Sequence, residues 1–463
     1  MSRSIRLNVK EKFYFWLLSA FLILVFLLGG GARPDIQSLV ILRPISVVVC
    51  GIALCGMTRA QWQQFKPLRA FFAALFGLVL LHLIPLPFGL WSALPGREII
   101  ANIDKAADLG ELWRPLAMVP WAAWNALYAL FVPLAVLLLC MRLTREQRFD
   151  LLKIVIAIGL ASGFLGILQS IGDPGGPLYF YRVTNNGTAV GLFANRNHQA
   201  VFLAAIFPML AIAASTGANS DERARFRSAI AVAAGIVLVP LLLVTGSRAG
   251  LALGGAGLVA AVLLYRRPEI TVAPKRKTVR VNVLYVVAAL GVAALVAVTA
   301  LASRASALQR LIGSDDEDLR FRMWGPITDM AWRYFPFGSG VGSFVEVYQV
   351  DEPRGLLLQG YVNHAHNDFL EIYLTMGLPG LILLAWIAFI SLREGWAAFA
   401  GKQRLGRSLM YKRLGVVMIA MFAAASVADY PLRTPALSSI FVVALVWLFD
   451  QAKNARVGSG SLA

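Results

Sequence analysis

The stretch WAAWNALYALFVPLAVLLLCM occupies residues 121–141 and contains no charged side chain. A helix that crosses the hydrocarbon core of a bilayer needs about 20 predominantly apolar residues, so this stretch is long enough to span a membrane. Eleven further apolar runs lie near residues 13–31, 37–57, 70–91, 151–171, 198–216, 229–245, 250–265, 283–303, 369–390, 414–430 and 435–450. The sequence therefore predicts an all-α, polytopic membrane protein with about 12 transmembrane helices, forming a single integral membrane domain over residues 1–463.

The composition excludes two other classes of protein. Apolar residues make up 58% of the chain and charged residues only 15%, whereas soluble proteins carry roughly 25% charged residues. A water-soluble globular enzyme and a disordered chain are therefore both excluded. No small-residue cleavage site follows the first apolar run, which we interpret as a retained helix rather than a signal peptide. The three cysteines all fall in apolar runs, so neither a disulfide nor a thiolate metal site is predicted.

The net charge of +18 is explained by orientation in the membrane. Cytoplasmic loops collect Lys and Arg. When alternate loops are assigned to the two sides, with a cytoplasmic N-terminus, the net charge is +20 inside and −2 outside. Both termini are thus predicted to be cytoplasmic, and the basic excess indicates no nucleic-acid partner.

Three outer segments are long. They lie near residues 92–120, 172–197 and 304–368. In the largest, the stretch 320–335 has one apolar helical face, so the loop before the tenth span is predicted to be partly helical. That face consists of Met323, Ile327, Met330 and Tyr334. Trp324 and Trp332 in the same stretch favour a helix along the membrane surface. Three glycines at 338, 340 and 342 are expected to end this helix before Phe344.

Two motifs in this loop have simpler interpretations than ligand binding. The glycine-rich turn is a weak phosphate-loop signal, because no lysine follows it and no strand precedes it. The acidic run Asp315–Asp318 cannot direct four consecutive carboxylates at one ion, so we interpret it as a solvated loop. Neither a nucleotide nor a metal ion is predicted here.

All four histidines fall at the outer ends of predicted spans or in the outer loop, which hints at an outward-facing site. They are His82, His198, His364 and His366. The densest polar cluster is NHAHND at 363–368, immediately before an apolar run. Helix capping explains Asn367 or Asp368 but does not require two histidines. One of the two is therefore predicted to be a general base, with His366 preferred over His364, whereas His82 is interpreted as an interfacial hydrogen-bonding residue.

Two outer arginines run against the basic bias of the cytoplasmic side. Arg196 lies in FANRNH at 193–198, and Arg248 lies in TGSRAG at 245–250. Each could snorkel to lipid headgroups, but snorkelling needs no flanking Asn, Ser or Gly. Guanidinium groups bind phosphate oxygens in a bidentate manner, so the pair suits a lipid-linked pyrophosphate. Arg43 and Arg182 are further candidates.

Several of these motifs resemble those of a known protein family. Four segments resemble the O-antigen ligase and related polysaccharide polymerase superfamily. They are FANRNHQA (193–200), TGSRAGL (245–251), RFRMWGPITDMAWRYFPFGSGVGSF (320–344) and HNDFLEIYLTMGLPG (366–380). LIPLP at 83–87 is similar to the end of an early span in that family. The family pattern of His, then Asn, Ser or Gln, nine residues and Gly-x-x-Gly is met by His366, Asn367, Gly377 and Gly380.

The resemblance implies a glycosyltransferase of the GT-C type in the bacterial inner membrane, with its active site at the periplasmic face and residues 304–368 as a large periplasmic loop. It implies metal-independent, inverting transfer from an undecaprenyl-pyrophosphate-linked glycan, with His366 as the catalytic base and no cofactor. Arg196 and Arg248 then bind the pyrophosphate. The remaining predicted substrate-binding residues are Arg182, Asn195, His364 and Asn367.

The acceptor stays open at the level of sequence. Lipid A–core would make the protein an O-antigen ligase of lipopolysaccharide biosynthesis, which we prefer. A growing polysaccharide chain as acceptor would make the protein a polymerase. A protein hydroxyl as acceptor would make it an O-oligosaccharyltransferase. A transporter of the lipid-linked sugar is disfavoured, since ion-coupled carriers need ionisable residues near mid-membrane and the predicted spans have no Asp or Glu at their centres. Membrane lipids are the remaining predicted partners.

Overall fold

The computed structural model describes residues 2–216, 221–268, 291, 315–357, 360–401 and 406–450, and this part of the chain is mostly helical. In chain order the helices are α1 (Ser2–Leu28), α2 (Leu39–Leu54), α3 (Arg59–Trp62), α4 (Lys66–His82), α5 (Phe88–Ser92), α6 (Glu98–Ala106), α7 (Pro120–Ala129), α8 (Phe131–Arg142), α9 (Arg145–Ile171), α10 (Arg196–Ser215), α11 (Asp221–Val244), α12 (Arg248–Leu264), α13 (Asp315–Arg333), α14 (Phe344–Asp351), α15 (Asp368–Ala400), α16 (Arg407–Ala428) and α17 (Pro435–Phe449). Short 3-10 turns lie at Arg354–Leu356 and Pro431–Arg433. Strands β1 (Pro85–Leu86) and β2 (Arg114–Pro115) pair antiparallel.

The predicted membrane character is confirmed. Six helical segments in the described part of the chain are long and apolar enough to cross a bilayer. They are Pro120–Arg142, which combines α7 and α8, and Arg145–Ile171, Arg196–Ser215, Glu222–Val244, Asp368–Ala400 and Arg407–Ala428. Shorter apolar helices lie at Lys12–Leu28, Leu39–Leu54, Arg248–Leu264 and Pro435–Phe449. The predicted span at 283–303 lies outside the described residues, so the number twelve stays a prediction, as does the single domain over 1–463.

One predicted span differs from the structure. The run 70–91 was expected to be one helix, but α4 ends at His82 and β1 follows at Pro85. Two prolines, Pro85 and Pro87, lie in the LIPLP stretch, and a proline inside a helix removes a backbone hydrogen bond. The chain therefore leaves the helix here and pairs with β2 instead.

Helix α10 forms the centre of the bundle. In its most apolar stretch, 94% of the residues are buried. The helix packs against α9, α11, α12 and α16. Small residues let α12 approach α10 closely. A Cβ placed on Gly250 would lie 2.2 Å from Cβ of Ala200, and one placed on Gly257 would lie 2.6 Å from the carbonyl oxygen of Ala204. The two helices therefore start side by side.

The polar loops gather at one end of the bundle. At this end the amide of Ala436 donates to the carbonyl of Gly29 at 3.0 Å, and the amide of Ala194 donates to the carbonyl of Gly30 at 3.1 Å. The amide of Gly30 also donates to the hydroxyl of Tyr181 at 2.6 Å. These bonds join the loops that precede α2, α10 and α17. All three were predicted to lie on the outer side.

Basic residues predicted to be cytoplasmic meet at the opposite end. Asp450 is buried there between Arg145 and Arg148, at N–O distances of 3.2 and 3.0 Å. Arg148 also donates to the side-chain oxygen of Gln64 at 3.3 Å. The separation of the two ends agrees with the predicted sorting of charge, while the side of the membrane that each end faces stays a prediction.

The helix predicted in the large outer loop is present as α13. Its four predicted apolar residues are buried in one cluster with Phe344 and Tyr348 of α14 and Leu374 of α15. Trp332 on another face remains 64% exposed. The apolar face of α13 therefore packs on protein, and its orientation along the membrane surface stays a prediction.

The glycine-rich turn after α13 supplies hydrogen-bond donors to carbonyls at a kink in α15. Gly377 has a φ of 56° and interrupts the regular helix, which leaves carbonyls one turn earlier without their helical donors. The amides of Ser339 and Gly340 donate to the carbonyls of Leu374 and Thr375, each at 2.9 Å. The turn thus anchors the first two turns of α15, which carry the polar cluster predicted from the sequence.

Two buried side chains hold this turn in place. His82 accepts a hydrogen bond at Nδ1 from the amide of Val341 at 3.0 Å. Arg97 is fully buried and donates to the carbonyls of Leu116 and Gly338 at 2.9 and 3.0 Å. Because of this burial, the pKa of Arg97 is lowered to about 10. The interpretation of His82 as a hydrogen-bonding residue agrees with this position.

Candidate active site

The predicted base lies directly before α15 in a strained backbone. His366 has a φ of 49°, a left-handed conformation that is uncommon for residues other than glycine and concentrates at functional sites. The next residue, Asn367, caps α15 by accepting a hydrogen bond at Oδ1 from the amide of Leu370 at 3.1 Å. The capping interpretation therefore holds for Asn367. The helix cap therefore follows the strained residue directly.

Asp429 connects this loop to the start of α10. Its Oδ2 accepts a hydrogen bond from the side-chain amide of Asn197 at 2.8 Å. Its Oδ1 lies 3.6 Å from Nε2 of His198 and 3.7 Å from Nδ1 of His366. Burial alone would raise the pKa of Asp429, but the two imidazoles and Arg320 hold it well below its usual range. The site therefore contains a buried negative charge that faces two histidines.

Tyr430 lies between three imidazole rings. Its ring centroid is 4.4 Å from that of His364, 4.9 Å from that of His366 and 5.1 Å from that of His198. Its hydroxyl accepts a hydrogen bond from the side-chain amide of Asn363 at 3.3 Å. Burial raises the pKa of Tyr430, so the phenol stays neutral. Three of the four histidines are thus brought to one aromatic ring.

The protonation state of His366 suits a base. Burial lowers the pKa of His366, and Arg320 and His364 lower it further, while Asp429 opposes the change. A lowered pKa keeps the imidazole neutral near neutral pH. The neutral form is the one that accepts a proton. Asp429 can then stabilise the imidazolium that forms.

A second polar network lies beside the first. Nδ1 of His364 is 3.1 Å from Oε1 of Glu371, and Nη1 of Arg433 is 2.9 Å from the same oxygen. Nε of Arg433 donates to Oδ1 of Asp368 at 2.9 Å, whose other oxygen accepts from the hydroxyl of Ser426 at 2.9 Å. Arg433 therefore joins two buried carboxylates of the first turn of α15 to the loop before α17.

The two predicted pyrophosphate-binding arginines begin neighbouring helices. Arg196 is the first residue of α10, and Arg248 is the first residue of α12. Each helix is capped by a polar side chain: Asn195 accepts from the amide of Asn197 at 2.8 Å, and Ser247 accepts from the amide of Gly250 at 3.0 Å. Helix N-termini carry partial positive charge and bind anions. Two such ends side by side, each with an arginine, suit a pyrophosphate.

Arg182 occupies a more peripheral position. Its side chain is 85% exposed and lies 3.5 Å from Oδ2 of Asp35. Asp35 is also paired with Arg33 at 3.0 Å, and the guanidinium of Arg33 stacks over the ring of Tyr361 at 4.8 Å. Arg182 thus contacts the loop between α1 and α2, and its role in substrate binding stays a prediction. Arg43 is the fifth residue of α2, and its role also stays a prediction.

Sequence reasoning missed the central residues of the site. The sequence motifs did not single out Asp429, Tyr430 or Arg433. A signal was present, because Arg433 is also a basic residue on the predicted outer side, in the short ADYPLR segment at 428–433. Arg320 was missed as well, and it donates to the carbonyl of Ala428 at 3.4 Å.

Within the described residues, no group of three or more His, Cys, Asp or Glu side chains is arranged to hold a metal ion. The carboxylates at the site are instead paired with Arg433, Asn197 and imidazoles. The acidic run Asp315–Asp318 begins α13.

A comparison with protein families supports the resemblance seen in the motifs. Residues 233–385 match the family model described as O-antigen ligase. The match includes Arg248, His366 and both glycines of the family pattern, whereas Arg196 and Asp429 lie outside it. A search of curated proteins finds no match. The match supports membership of the O-antigen ligase superfamily, with a ligase- or polymerase-type function on lipid-linked polysaccharides.

Proposed function

We propose that the protein transfers a glycan from an undecaprenyl-pyrophosphate carrier to a hydroxyl of lipid A–core, at the periplasmic face of the bacterial inner membrane. The observation that carries this proposal is the meeting of His366 and the first turn of α10 at Asp429. The same turn begins with Arg196, beside the N-terminus of α12 and Arg248. This arrangement supports a single site that contains a base and two phosphate-binding arginines, on a membrane fold that we assign to the GT-C type.

The arginines serve the donor. When the bond between the anomeric carbon and the phosphate oxygen breaks, the electron pair leaves with the pyrophosphate and negative charge develops on its oxygens. Arg196, Arg248 and the amides of the two helix N-termini stabilise that charge where it forms. Pyrophosphate is a good leaving group, so its departure depends on charge stabilisation more than on a proton donor.

His366 serves the acceptor. A sugar hydroxyl is a poor nucleophile at neutral pH, and the neutral imidazole accepts its proton while the oxygen attacks the anomeric carbon from the face opposite the pyrophosphate. One displacement inverts the configuration at that carbon. The proton stays on the imidazole, and Asp429 stabilises the resulting cation until the proton is released to solvent.

The experiment compares purified protein in lipid nanodiscs with its His366→Ala, Arg196→Ala and Arg248→Ala variants. The measured quantities are glycan transfer from the undecaprenyl-pyrophosphate donor to rough lipopolysaccharide and release of undecaprenyl pyrophosphate. We expect His366→Ala to lower the transfer rate about 10²- to 10⁴-fold, the usual contribution of a general base. Arg393→Ala, an exposed arginine near the opposite end of α15, is the matched control and keeps the parent rate.

Parent-level transfer by correctly inserted His366→Ala protein would overturn the assignment of the base. A second arm supplies the growing polysaccharide in place of rough lipopolysaccharide. Transfer in that arm alone would make the protein a polymerase, which uses the same chemistry with a different acceptor. Movement of intact donor across the bilayer without release of undecaprenyl pyrophosphate would make it a transporter.

A further inference from the structure

Glu371 is a buried carboxylate with three kinds of donor around it. Nδ1 of His364 lies 3.1 and 3.2 Å from its two oxygens. The amide of Ala365 donates to Oε2 at 3.0 Å, and Nη1 of Arg433 lies 2.9 Å from Oε1. Only 1% of the residue is exposed. The carboxylate is therefore held in one orientation by backbone and side-chain groups together.

This arrangement determines which nitrogen of His364 carries the proton. A carboxylate only accepts hydrogen bonds, so the Nδ1 that faces it must be the donor. In the neutral imidazole the other nitrogen, Nε2, then carries the lone pair. Among the described residues, Nε2 of His364 is buried without a hydrogen-bond partner. Nε2 of His364 is thus an oriented nitrogen atom to which the described residues supply no hydrogen-bond partner.

The position of His364 indicates what that partner is. The side chain is 12% exposed, and its ring and that of His366 both contact the ring of Tyr430, at 4.4 and 4.9 Å. A molecule that brings a hydroxyl to His366 therefore also reaches the neighbourhood of His364. Sugars carry several hydroxyls, and each can donate a hydrogen bond to an imidazole nitrogen.

We propose that Nε2 of His364 binds a second hydroxyl of the acceptor sugar, and that Glu371 is the positioning residue that fixes this imidazole for it. The proposal rests on the function proposed above and adds a division of labour between the two histidines. His366 takes the proton from the attacking hydroxyl. His364 keeps its proton on Nδ1 and orients the sugar, so it contributes to acceptor binding rather than to the chemical step.

The first experiment measures the tautomer directly and needs no substrate. Full-length protein in nanodiscs is labelled with ¹⁵N-histidine, and the four imidazoles are assigned by substituting each of the other three histidines in turn. We expect Nδ1 of His364 to carry a proton, and Glu371→Gln to lower the fraction of the protein in which it does. An Nδ1 without a proton in the parent protein would overturn the proposed orientation, even if a His364 variant itself failed to fold.

The second experiment separates acceptor binding from chemistry. With rough lipopolysaccharide as acceptor, His364→Gln and Glu371→Gln are expected to raise the acceptor KM about 3- to 10-fold, the size of one hydrogen bond. Their kcat should stay within about twofold of the parent, and the donor KM should not change. A loss of kcat like that of His366→Ala would make His364 the base. An unchanged acceptor KM would overturn the binding role.

The two proposals fail in different ways. If the parent protein moves no glycan to rough lipopolysaccharide or to growing polysaccharide, the proposed function is overturned, and with it the assignment of a sugar to His364. If the parent protein transfers glycan but both variants bind acceptor as the parent does, only the role of His364 is overturned.

Discussion

Asn197 donates its side-chain amide to Asp429 at 2.8 Å, although the two residues lie 232 positions apart in the chain. The bond joins the first turn of α10 to the segment between α16 and α17. Because Asn197 follows Arg196 directly, the same bond positions a proposed pyrophosphate-binding residue relative to Asp429. His366 faces the other oxygen of that carboxylate. One side-chain contact thus relates the proposed donor half of the site to the predicted base.

Asp429→Asn is expected to shift the acid limb of the pH profile to lower pH. His366 must be neutral to act as a base, so activity is lost as the pH falls through its pKa. Burial already lowers that pKa and Asp429 opposes the change, so removing the charge lowers the pKa further. The maximal rate falls too, because the imidazolium loses its partner.

The measurement is kcat/KM for the acceptor as a function of pH, which reports the free enzyme. Asp150→Asn is the matched control, since Asp150 pairs with Lys153 at 2.7 Å near the opposite end of the bundle. Its profile should match that of the parent. An acid limb that stays in place in Asp429→Asn, or moves to higher pH, would contradict the coupling of Asp429 to the base.

Gly250→Ala is expected to impair donor binding by separating the two helix N-termini. The added Cβ would lie 2.2 Å from Cβ of Ala200, closer than two carbon atoms can approach, so α12 must move away from α10. Gly255→Ala in the same helix has no atom within 4 Å of the added Cβ and serves as the control. The donor KM should rise in the first variant and stay at the parent value in the second.

Equal donor KM values in Gly250→Ala and Gly255→Ala would show that the spacing of α10 and α12 does not determine donor binding. Thermal unfolding of both variants in nanodiscs separates this effect from a general loss of stability. A variant that unfolds at the parent temperature and still binds donor poorly reports on the site itself.

Gly377→Ala is expected to destabilise the fold around the kink in α15. The residue has a φ of 56°, and an added Cβ would lie 2.2 Å from the carbonyl oxygen of Pro336. A non-glycine residue in strained backbone costs about 1–3 kcal/mol, and the collision adds to this. Gly235→Ala in α11 meets no atom within 4 Å and is expected to stabilise its helix by about 0.5–1 kcal/mol.

Chemical or thermal unfolding in detergent compares the two alanine variants with the parent. The unfolding midpoint should fall for Gly377→Ala and stay equal or rise for Gly235→Ala. If the unfolding midpoint of Gly377→Ala equals that of the parent protein, the kink is not the reason for a glycine at this position of the family pattern.

Removal of divalent metal ions is expected to leave transfer unchanged. In the proposed mechanism the charge of the pyrophosphate is stabilised by Arg196 and Arg248, and guanidinium groups remain protonated at all accessible pH values. The rate after dialysis against EDTA should therefore stay within about twofold of the untreated protein. Loss of activity that added Mg²⁺ or Ca²⁺ restores would contradict metal independence, and the acidic run Asp315–Asp318 would become the first region to substitute.

Local features of the sequence determined the membrane class and pointed to several residues of the candidate site. Apolar runs predict helices because a bilayer requires about 20 apolar residues per span, and the spacing of Met323, Ile327, Met330 and Tyr334 predicted the buried face of α13. Asn367 could be recognised as a cap because capping depends on adjacent residues. His366, Arg196 and Arg248 could be selected because each breaks a local pattern of its own segment.

Only the tertiary structure decided how these segments meet. The contacts of Asp429 with Asn197 and His366, and those of Arg433 with Asp368 and Glu371, join residues at least 62 positions apart. Such contacts depend on which helices pack together, and hydropathy does not encode that choice because every helix in a bilayer is apolar. The same packing separated the four histidines: His82 supports a turn, while His198, His364 and His366 surround Tyr430.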